Sequence, residues 1–181
     1  IRRQSDHLAH ILKDLLDVAR ITRGQITLQP DTVTIASCID IAVETAAPQL
    51  KDKRQRLTVE HSRDPLRVRA HEVRIGQCIA NLLSNAAKYS DAESDIHIRS
   101  YREEQHAVVE VRDNGIGIAP EYQANVFDLF YQAPRSVDRG QGGLGLGLAI
   151  CKRLVDMHNG TIRCRSNGIG QGSTFEMRLP L

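Results

Sequence analysis

Five of the eight residues from Gly140 to Gly147 are glycine, and this run restricts the fold more than any other feature. Glycine reaches backbone conformations that other residues avoid, so the run predicts a loop. After Gly147 the apolar residues recur with helical spacing, which predicts a helix that begins where the loop ends. The free N–H groups at such a helix N-terminus favour an anion such as a phosphate. A plain linker has a similar composition.

Two common phosphate-binding motifs do not fit this run. A P-loop ends in Gly-Lys-Ser/Thr, whereas Leu148 follows Gly147. A dinucleotide-binding fingerprint needs a strand directly before the glycines, but residues 131–141 are polar and without periodicity. If a phosphate binds here, we expect it to lie under a flexible flap.

Composition limits the remaining possibilities. A length of 181 residues suits one domain with an appendage. Aromatic residues make up only 4% and Trp is absent, so the core is predicted to be aliphatic. The net charge of +2 gives no field that would favour nucleic acid or an anionic membrane, and we expect this chain to contact neither.

The cysteines and the apolar runs indicate the compartment. The four cysteines lack the paired spacing of a zinc or redox site, so we expect buried, unreactive thiols in a reducing environment: Cys38, Cys78, Cys151 and Cys164. The sequence shows no signal peptide and no membrane span. We therefore expect a cytoplasmic location, which is compatible with a parent protein anchored in a membrane.

The hydrophobic pattern predicts an α+β fold. Residues 4–21 place apolar side chains three and four apart on one long helix, whose seam needs a partner helix. Thr34 is the predicted N-cap of the next helix. The predicted helices cover residues 35–53, 71–88, 120–129 and 147–158, and the predicted strands cover 26–33, 56–61, 66–70, 95–102, 106–112, 160–166 and 173–179. This order favours a two-layer α/β sandwich, in which a mixed sheet carries helices on one face, preceded by one long helix.

The predicted helix over residues 71–88 carries Asn81, Asn85 and Lys88 at spacings of four and three, hence on one face. Asparagine is unfavourable inside a helix by up to about 0.7 kcal/mol relative to alanine, which calls for a reason. An amide oxygen suits Mg²⁺, and a lysine one turn later could meet a phosphate. An ordinary solvated polar face explains the same residues.

A second candidate site follows the predicted strand over residues 106–112. Asp113-Asn114-Gly115-Ile116-Gly117 has the composition of a common turn. It also offers a carboxylate that could accept a hydrogen bond from an exocyclic amine, with glycines that let a flat ring approach the backbone. Adenine is such a ring.

Taken in order, these segments resemble the catalytic, ATP-binding domain of sensor histidine kinases, which has the Bergerat ATP-binding fold. Five of that family's motifs have counterparts here in the family's order. They are the N box at residues 81–89, the first glycine box at 113–117, the F box at 127–130, the second glycine box at 143–147 and the terminal glycine motif at 172–175.

The resemblance implies roles for individual residues. Asn85 would ligate Mg²⁺, with Asn81 beside it, and Lys88 and Tyr89 would contact the phosphates or the nucleoside. Asp113 would bind the adenine amine, with Thr174 at the base edge. The glycines of the first box, Gly115 and Gly117, would line the pocket, and Phe127 and Phe130 would anchor the hinge of the flap, although two rings at this spacing also suit a core. The flap that closes over the triphosphate would consist of Gly143, Leu144, Gly145, Leu146 and Gly147.

The resemblance extends to the N-terminus. Residues 8–29 are similar to the second helix of the kinases' dimerisation and phosphoacceptor hairpin with its connector. We thus expect residues 1–24 to be part of that hairpin, 25–33 the connector and 34–181 the ATP-binding domain. The acceptor histidine of the family is followed by an acidic residue, whereas His7 and His10 precede Leu8 and Ile11. We therefore expect a fragment that begins after its own acceptor and does not phosphorylate itself.

Four activities are compatible with this fold. Related ATPases place a glutamate one helical turn before the metal-binding asparagine, where it activates water; Asn81 holds that position here and cannot accept a proton. This favours a protein-histidine kinase over a hydrolase. The third activity is that of a non-catalytic nucleotide-binding module, and the fourth is that of an anti-sigma-factor serine kinase. For a protein-histidine kinase, the resemblance implies ATP and Mg²⁺ as cofactors and a homodimeric parent, with the acceptor hairpin and a response regulator as partners.

Overall fold

The computed structural model describes Leu12, Leu16 and residues 28–133 and 144–181. Leu12 and Leu16 are helical, and the rest of the predicted N-terminal helix lies outside the described residues. The elements in chain order are β1 (Asp31–Thr34), α1 (Ile35–Asp52), β2 (Arg56–Glu60), β3 (Arg67–Ala70), α2 (Glu72–Tyr89), β4 (Asp95–Glu103), β5 (His106–Asp113), α3 (Pro120–Gln123), α4 (Gly147–Met157), β6 (Thr161–Arg165) and β7 (Ser173–Pro180).

These bounds confirm most of the sequence-based elements, and two differ. The first predicted strand begins only at Asp31, after Pro30, which has no N–H to donate to a ladder. The predicted helix over 120–129 is helical only to Gln123. It continues as turns, in which the Asn125 amide donates to the Asp128 carboxylate at 3.0 Å, because these two residue types favour turns over helix interiors.

The fold is the predicted sandwich of a mixed sheet and helices. A five-stranded sheet has the order β2-β4-β5-β7-β6; β2 and β4 are parallel and the other neighbours are antiparallel. Helix α2 packs between α1 and α4 and against β5. Strands β1 and β3 form a separate antiparallel pair. Asp113, the last residue of β5, pairs with Ser173, the first residue of β7. The first glycine box and the terminal glycine motif therefore meet where these two strands end and begin.

Local signals place the helices as predicted. Thr34 caps α1, because its hydroxyl oxygen accepts a hydrogen bond from the Ser37 N–H at 3.2 Å.

At the start of α2, the His71 N–H donates to Nε2 of His158, which follows α4, at 3.0 Å. This bond ties the beginning of α2 to the end of α4.

The core is aliphatic, as the composition predicts. Phe175 is the single aromatic residue among the buried hydrophobic side chains of the described residues. Cys38, Cys78 and Cys151 are buried free thiols, and Cys164 is half-buried. Burial raises the pKa of the Cys38 thiol to about 12, so this thiol stays protonated and unreactive at neutral pH.

None of the helices in the described part of the chain has both the length and the apolar character that crossing a bilayer requires.

Candidate nucleotide site

An open cavity of about 100 Å³ lies where the end of α2, the segment after β5 and the start of β7 converge. Most of its walls are apolar, and Asp113 is the one acidic side chain in the lining. The lining residues are Asn85, Tyr89, Asp113, Ile116, Gly117, Ile118, Val126, Tyr131, Gln132, Ala133, Leu148, Ser173 and Phe175.

Asp113 is fixed in this cavity by the backbone. Its side chain is 5% exposed, and its Oδ1 accepts hydrogen bonds from the N–H groups of Gly115 at 2.8 Å and Ser173 at 3.2 Å. The other oxygen, Oδ2, accepts no hydrogen bond from the described residues. Burial raises the pKa of the Asp113 carboxyl, and the two N–H groups partly oppose that rise. One carboxylate oxygen is thus held in place while the other remains available to a donor.

The segment after Asp113 packs against two other backbones, and this packing requires glycine. A Cβ on Gly115 would lie 2.5 Å from the carbonyl oxygen of Tyr89. Gly117 has φ +67°, and a Cβ there would lie 2.0 Å from the carbonyl oxygen of Gly168. Any side chain at either position would push the segment out of contact. Gly117 lines the cavity and Gly115 does not, and the approach of a base to either glycine stays a prediction.

The polar residues of α2 fall into two groups, those that line the cavity and those that do not. Asn85 and Tyr89 line the cavity, and their roles toward Mg²⁺ and the nucleotide stay predictions. Asn81 does not line it; its Nδ2 donates to the carbonyl oxygen of Gly147 at 3.0 Å. Asn81 therefore joins α2 to the beginning of α4. Lys88 also lies outside the lining, with its ammonium 4.7 Å from the centre of the Tyr89 ring, a cation–π contact.

The glycine-rich segment is described only from residue 144 onwards, so Gly143 lies outside the described residues. Gly147 begins α4, which confirms the predicted helix start. Gly145 has φ +70°, and its carbonyl oxygen accepts a hydrogen bond from the N–H of Phe130 at 3.1 Å. This bond joins the segment to the F-box turn.

The two leucines of this segment differ in burial. Leu146 is 1% exposed and belongs to the core, whereas Leu144 is 37% exposed. Phe130, on the F-box turn, is 61% exposed. These three side chains, Gly145 and Gly147 lie outside the cavity lining, and their roles toward a triphosphate stay predictions.

Sequence reasoning missed the apolar walls. These are Ile116, Ile118, Val126, Tyr131, Leu148 and Phe175, with Ser173 beside Asp113. The Phe175 ring meets Phe127 edge to face, with 6.3 Å between the ring centres. Ser173 and Phe175 line the cavity and Thr174 between them does not, so its place at the base edge stays a prediction. In the sequence, Phe175, Met177 and Leu179 alternate with polar residues, a strand pattern that puts Thr174 on the face opposite to Phe175.

A family model for histidine kinase-, DNA gyrase B- and HSP90-like ATPases matches residues 70–181, more than half of the chain. The chain belongs to this ATPase family. The matched region contains the cavity, Asp113 and all of α2.

Two curated relatives of this ATPase family member are named as a histidine kinase and as a sensor protein. The circadian input-output histidine kinase CikA of Synechococcus elongatus is 34% identical over 99% of this chain, which spans 24% of that protein. The sensor protein SrrB of Staphylococcus aureus is 32% identical over 98% of this chain and 30% of its own length. The chain therefore spans less than a third of the length of either relative.

Solved structures share the fold. Full-length ShkA, crystallised in complex with AMPPNP, superposes with a TM-score of 0.83 at 28% identity, covering 99% of this chain and 37% of that one. The mycobacterial sensor histidine kinase MprB gives 0.73 at 28% identity, covering 83% of this chain and 97% of that one. This ATPase family member is thus an ATP-binding catalytic domain of the sensor histidine kinase type.

Proposed function

We propose that this domain transfers the γ-phosphate of Mg-ATP to a histidine on the dimerisation hairpin of its kinase. The observation that carries the proposal is the Asp113 carboxylate, which is fixed through Oδ1 and open at Oδ2, on the wall of an apolar cavity. Such a group selects a base that presents an amine to it, because a buried acceptor left unpaired costs free energy. Adenine has that amine.

The residues present fit a magnesium-bound triphosphate. The described residues contain no cluster of three His, Cys, Asp or Glu side chains, so a cation here would depend on an amide and on the ligand's own oxygens. Asn85 faces the cavity and its amide makes no hydrogen bond with the described residues. When bound, Mg²⁺ would neutralise part of the phosphate charge. Asn85 would hold it, and Lys88, one turn along α2, would meet a phosphate oxygen.

The residue one helical turn before Asn85, which is Asn81, favours phosphoryl transfer over hydrolysis. Asn81 carries an amide, which cannot accept a proton and therefore cannot serve as a general base for water. General-base assistance is worth about 10² to 10⁴ in rate, and its absence makes hydrolysis slow. A histidine acceptor is itself a nucleophile and needs mainly positioning. We therefore assign protein-histidine kinase activity.

The partners follow from this assignment. The domain would act on the acceptor hairpin of its own kinase within a homodimeric parent, and a response regulator would then take the phosphoryl group. Because ATP is supplied in the cytoplasm, the domain would work there.

The experiment mixes this chain with γ-labelled ATP, Mg²⁺ and the acceptor hairpin of its own kinase, supplied as a separate polypeptide. We expect acid-labile, base-stable label on the hairpin and none on a hairpin whose acceptor histidine is replaced by glutamine. Release of free phosphate without labelling would indicate a hydrolase. Nucleotide binding with neither reaction would indicate a non-catalytic module.

A further inference from the structure

Two side chains outside the cavity hold its walls together. Gln123, the last residue of α3, faces Ser166, which follows β6. The Gln123 Nε2 donates to the carbonyl oxygen of Ser166 at 2.7 Å, and its Oε1 accepts from the Ser166 N–H at 3.3 Å. This reciprocal pair is named the Gln123–Ser166 clamp. Neither residue lines the cavity.

The clamp grips the first wall at Ile118. The Ile118 N–H donates to Oγ of Ser166 at 3.0 Å, and the Ile118 carbonyl oxygen accepts from Nε2 of Gln123 at 3.1 Å. Both backbone groups of one cavity residue are therefore satisfied by the two clamp side chains. Ile116 and Gly117, which precede Ile118 in the chain, line the same side of the cavity.

The clamp also connects to two further chain segments that line the cavity. Oγ of Ser166 donates to the carbonyl oxygen of Gly172 at 2.6 Å, directly before the cavity residue Ser173. Val126, another cavity residue, follows Gln123 by three positions. Three chain segments that line the cavity thus converge on one pair of side chains.

We infer that Gln123 and Ser166 are positioning residues that set the spacing of the base-binding walls; this inference rests on the proposed function. The walls are apolar, and they contact both faces of a flat ring only when the distance between them matches the thickness of that ring. Loss of the clamp therefore weakens nucleotide binding, while the α2 side chains assigned to the phosphates are unaffected.

The test measures the Kd of Mg-ATP by calorimetry for Ser166→Ala, Ser166→Thr and Gln123→Leu. The alanine variant loses more than one of the hydrogen bonds that place the walls, so we expect its Kd to rise about tenfold, which corresponds to about 1.4 kcal/mol. Ser166→Thr keeps the hydroxyl and should stay close to the unchanged protein. Gln123→Leu keeps the side-chain size and should weaken binding like the alanine variant. Gln105→Ala, an exposed glutamine on the turn between β4 and β5, is the matched control.

A second readout separates positioning from general damage. The KM for ATP should rise in Ser166→Ala and Gln123→Leu, while kcat at saturating ATP stays unchanged. Amide hydrogen exchange at Ile118 should become faster in Ser166→Ala whether or not nucleotide is present, because the acceptor of that N–H is removed. If Ser166→Ala does not fold, Gln123→Leu and the threonine variant carry the same comparison.

Three results would overturn the inference: an unchanged Kd in Gln123→Leu, a threonine variant as weak as the alanine variant, or a fall in kcat with constant KM. If the unchanged protein itself binds no ATP, the proposed function fails and the positioning role fails with it. The exchange rate at Ile118 would still report whether the clamp exists, so the two failures are distinguishable.

Discussion

The two ends of the proposed nucleotide site are built differently. The proposed base end, residues 113–118 and 172–175, is assembled from backbone hydrogen bonds. The proposed phosphate end presents polar side chains of α2, with Asn85 in the cavity lining and Lys88 outside it. At the base end, the N–H groups of Gly170 and Gly172 donate to the carbonyl oxygens of Ile116 and Gly115 at 2.7 and 3.1 Å.

At the phosphate end, by contrast, the Asn85 amide has no hydrogen-bond partner within the described chain, and the Lys88 ammonium lies against the Tyr89 ring. The comparison teaches where selectivity and chemistry reside. Under the proposed function, the base end would be complete before a ligand arrives and would select by shape and by one carboxylate oxygen. The phosphate end would be completed by the ligand.

Replacing Asp113 by alanine should have the largest effect, because it removes the only acidic group of the base end. We expect affinity for Mg-ATP to fall at least about a hundredfold, since the adenine amine loses its acceptor and the N–H groups of Gly115 and Ser173 lose theirs. Calorimetry measures the change. Unchanged affinity in Asp113→Ala would remove the adenine assignment.

Lys53 tests how much a side-chain cap at the end of α2 stabilises the fold. Its ammonium donates to the carbonyl oxygens of Ala87, Lys88 and Ser90 at 2.7 to 2.9 Å, which caps the helix C-terminus. We expect Lys53→Met to lower the free energy of unfolding by about 2 kcal/mol, because charge-assisted bonds are lost. Thermal or urea unfolding measures it. Lys51→Met is the control, and an equal loss there would contradict the capping role.

Asn85→Ala examines the phosphate end. We expect affinity for ATP to fall about tenfold in the presence of Mg²⁺ and to change little in its absence, because only the cation-dependent part of binding is lost. Asn81→Ala is the contrasting variant. It should lower thermal stability by removing the bond to Gly147, with the response to Mg²⁺ retained. Magnesium dependence lost in Asn81→Ala and kept in Asn85→Ala would exchange the two assignments.

The smallest effect is expected on the free energy of unfolding when the pH is lowered and His158, which bonds to the residue before α2, becomes protonated. His158 is 5% exposed, its Nδ1 lies 2.7 Å from the Leu154 carbonyl oxygen, and its Nε2 accepts from His71. Both bonds require the neutral ring with its proton on Nδ1. Burial lowers the pKa of His158, and the neighbouring His71 adds to this.

Since the folded pKa lies below the unfolded value of about 6.5, stability is full above pH 6.5 and declines as pH falls towards the lowered pKa. Below both values no further loss occurs. Unfolding of the unchanged protein and of His158→Gln across pH 7 to 5 should show a smaller decline in the variant. An identical decline would show that His158 does not contribute.

The sequence reveals the fold because its signals are local. Thr34 precedes an apolar period, and Gly147 begins one, so the limits of these helices follow from short-range rules. Asp113 and Asn85 are found through the order of the motifs. Both lie in the cavity that the structure forms.

The remaining site depends on contacts between distant segments. The bond between Asn81 and Gly147 joins residues 66 positions apart, and the one between Ile118 and Ser166 joins residues 48 apart. Neither pair has a local signal. The apolar walls also depend on distant contacts. From the sequence alone, an isoleucine such as Ile116 is indistinguishable from a core residue, because its packing partners are unknown.

The most direct test of the account is a crystal structure of this domain with Mg²⁺ and a non-hydrolysable ATP analogue. The account predicts the adenine between Ile116 and Leu148, with its amine within hydrogen-bond distance of Asp113 Oδ2, and the triphosphate running towards Asn85 and Lys88. An analogue bound with its base away from Asp113, or with its phosphates directed away from α2, would contradict it.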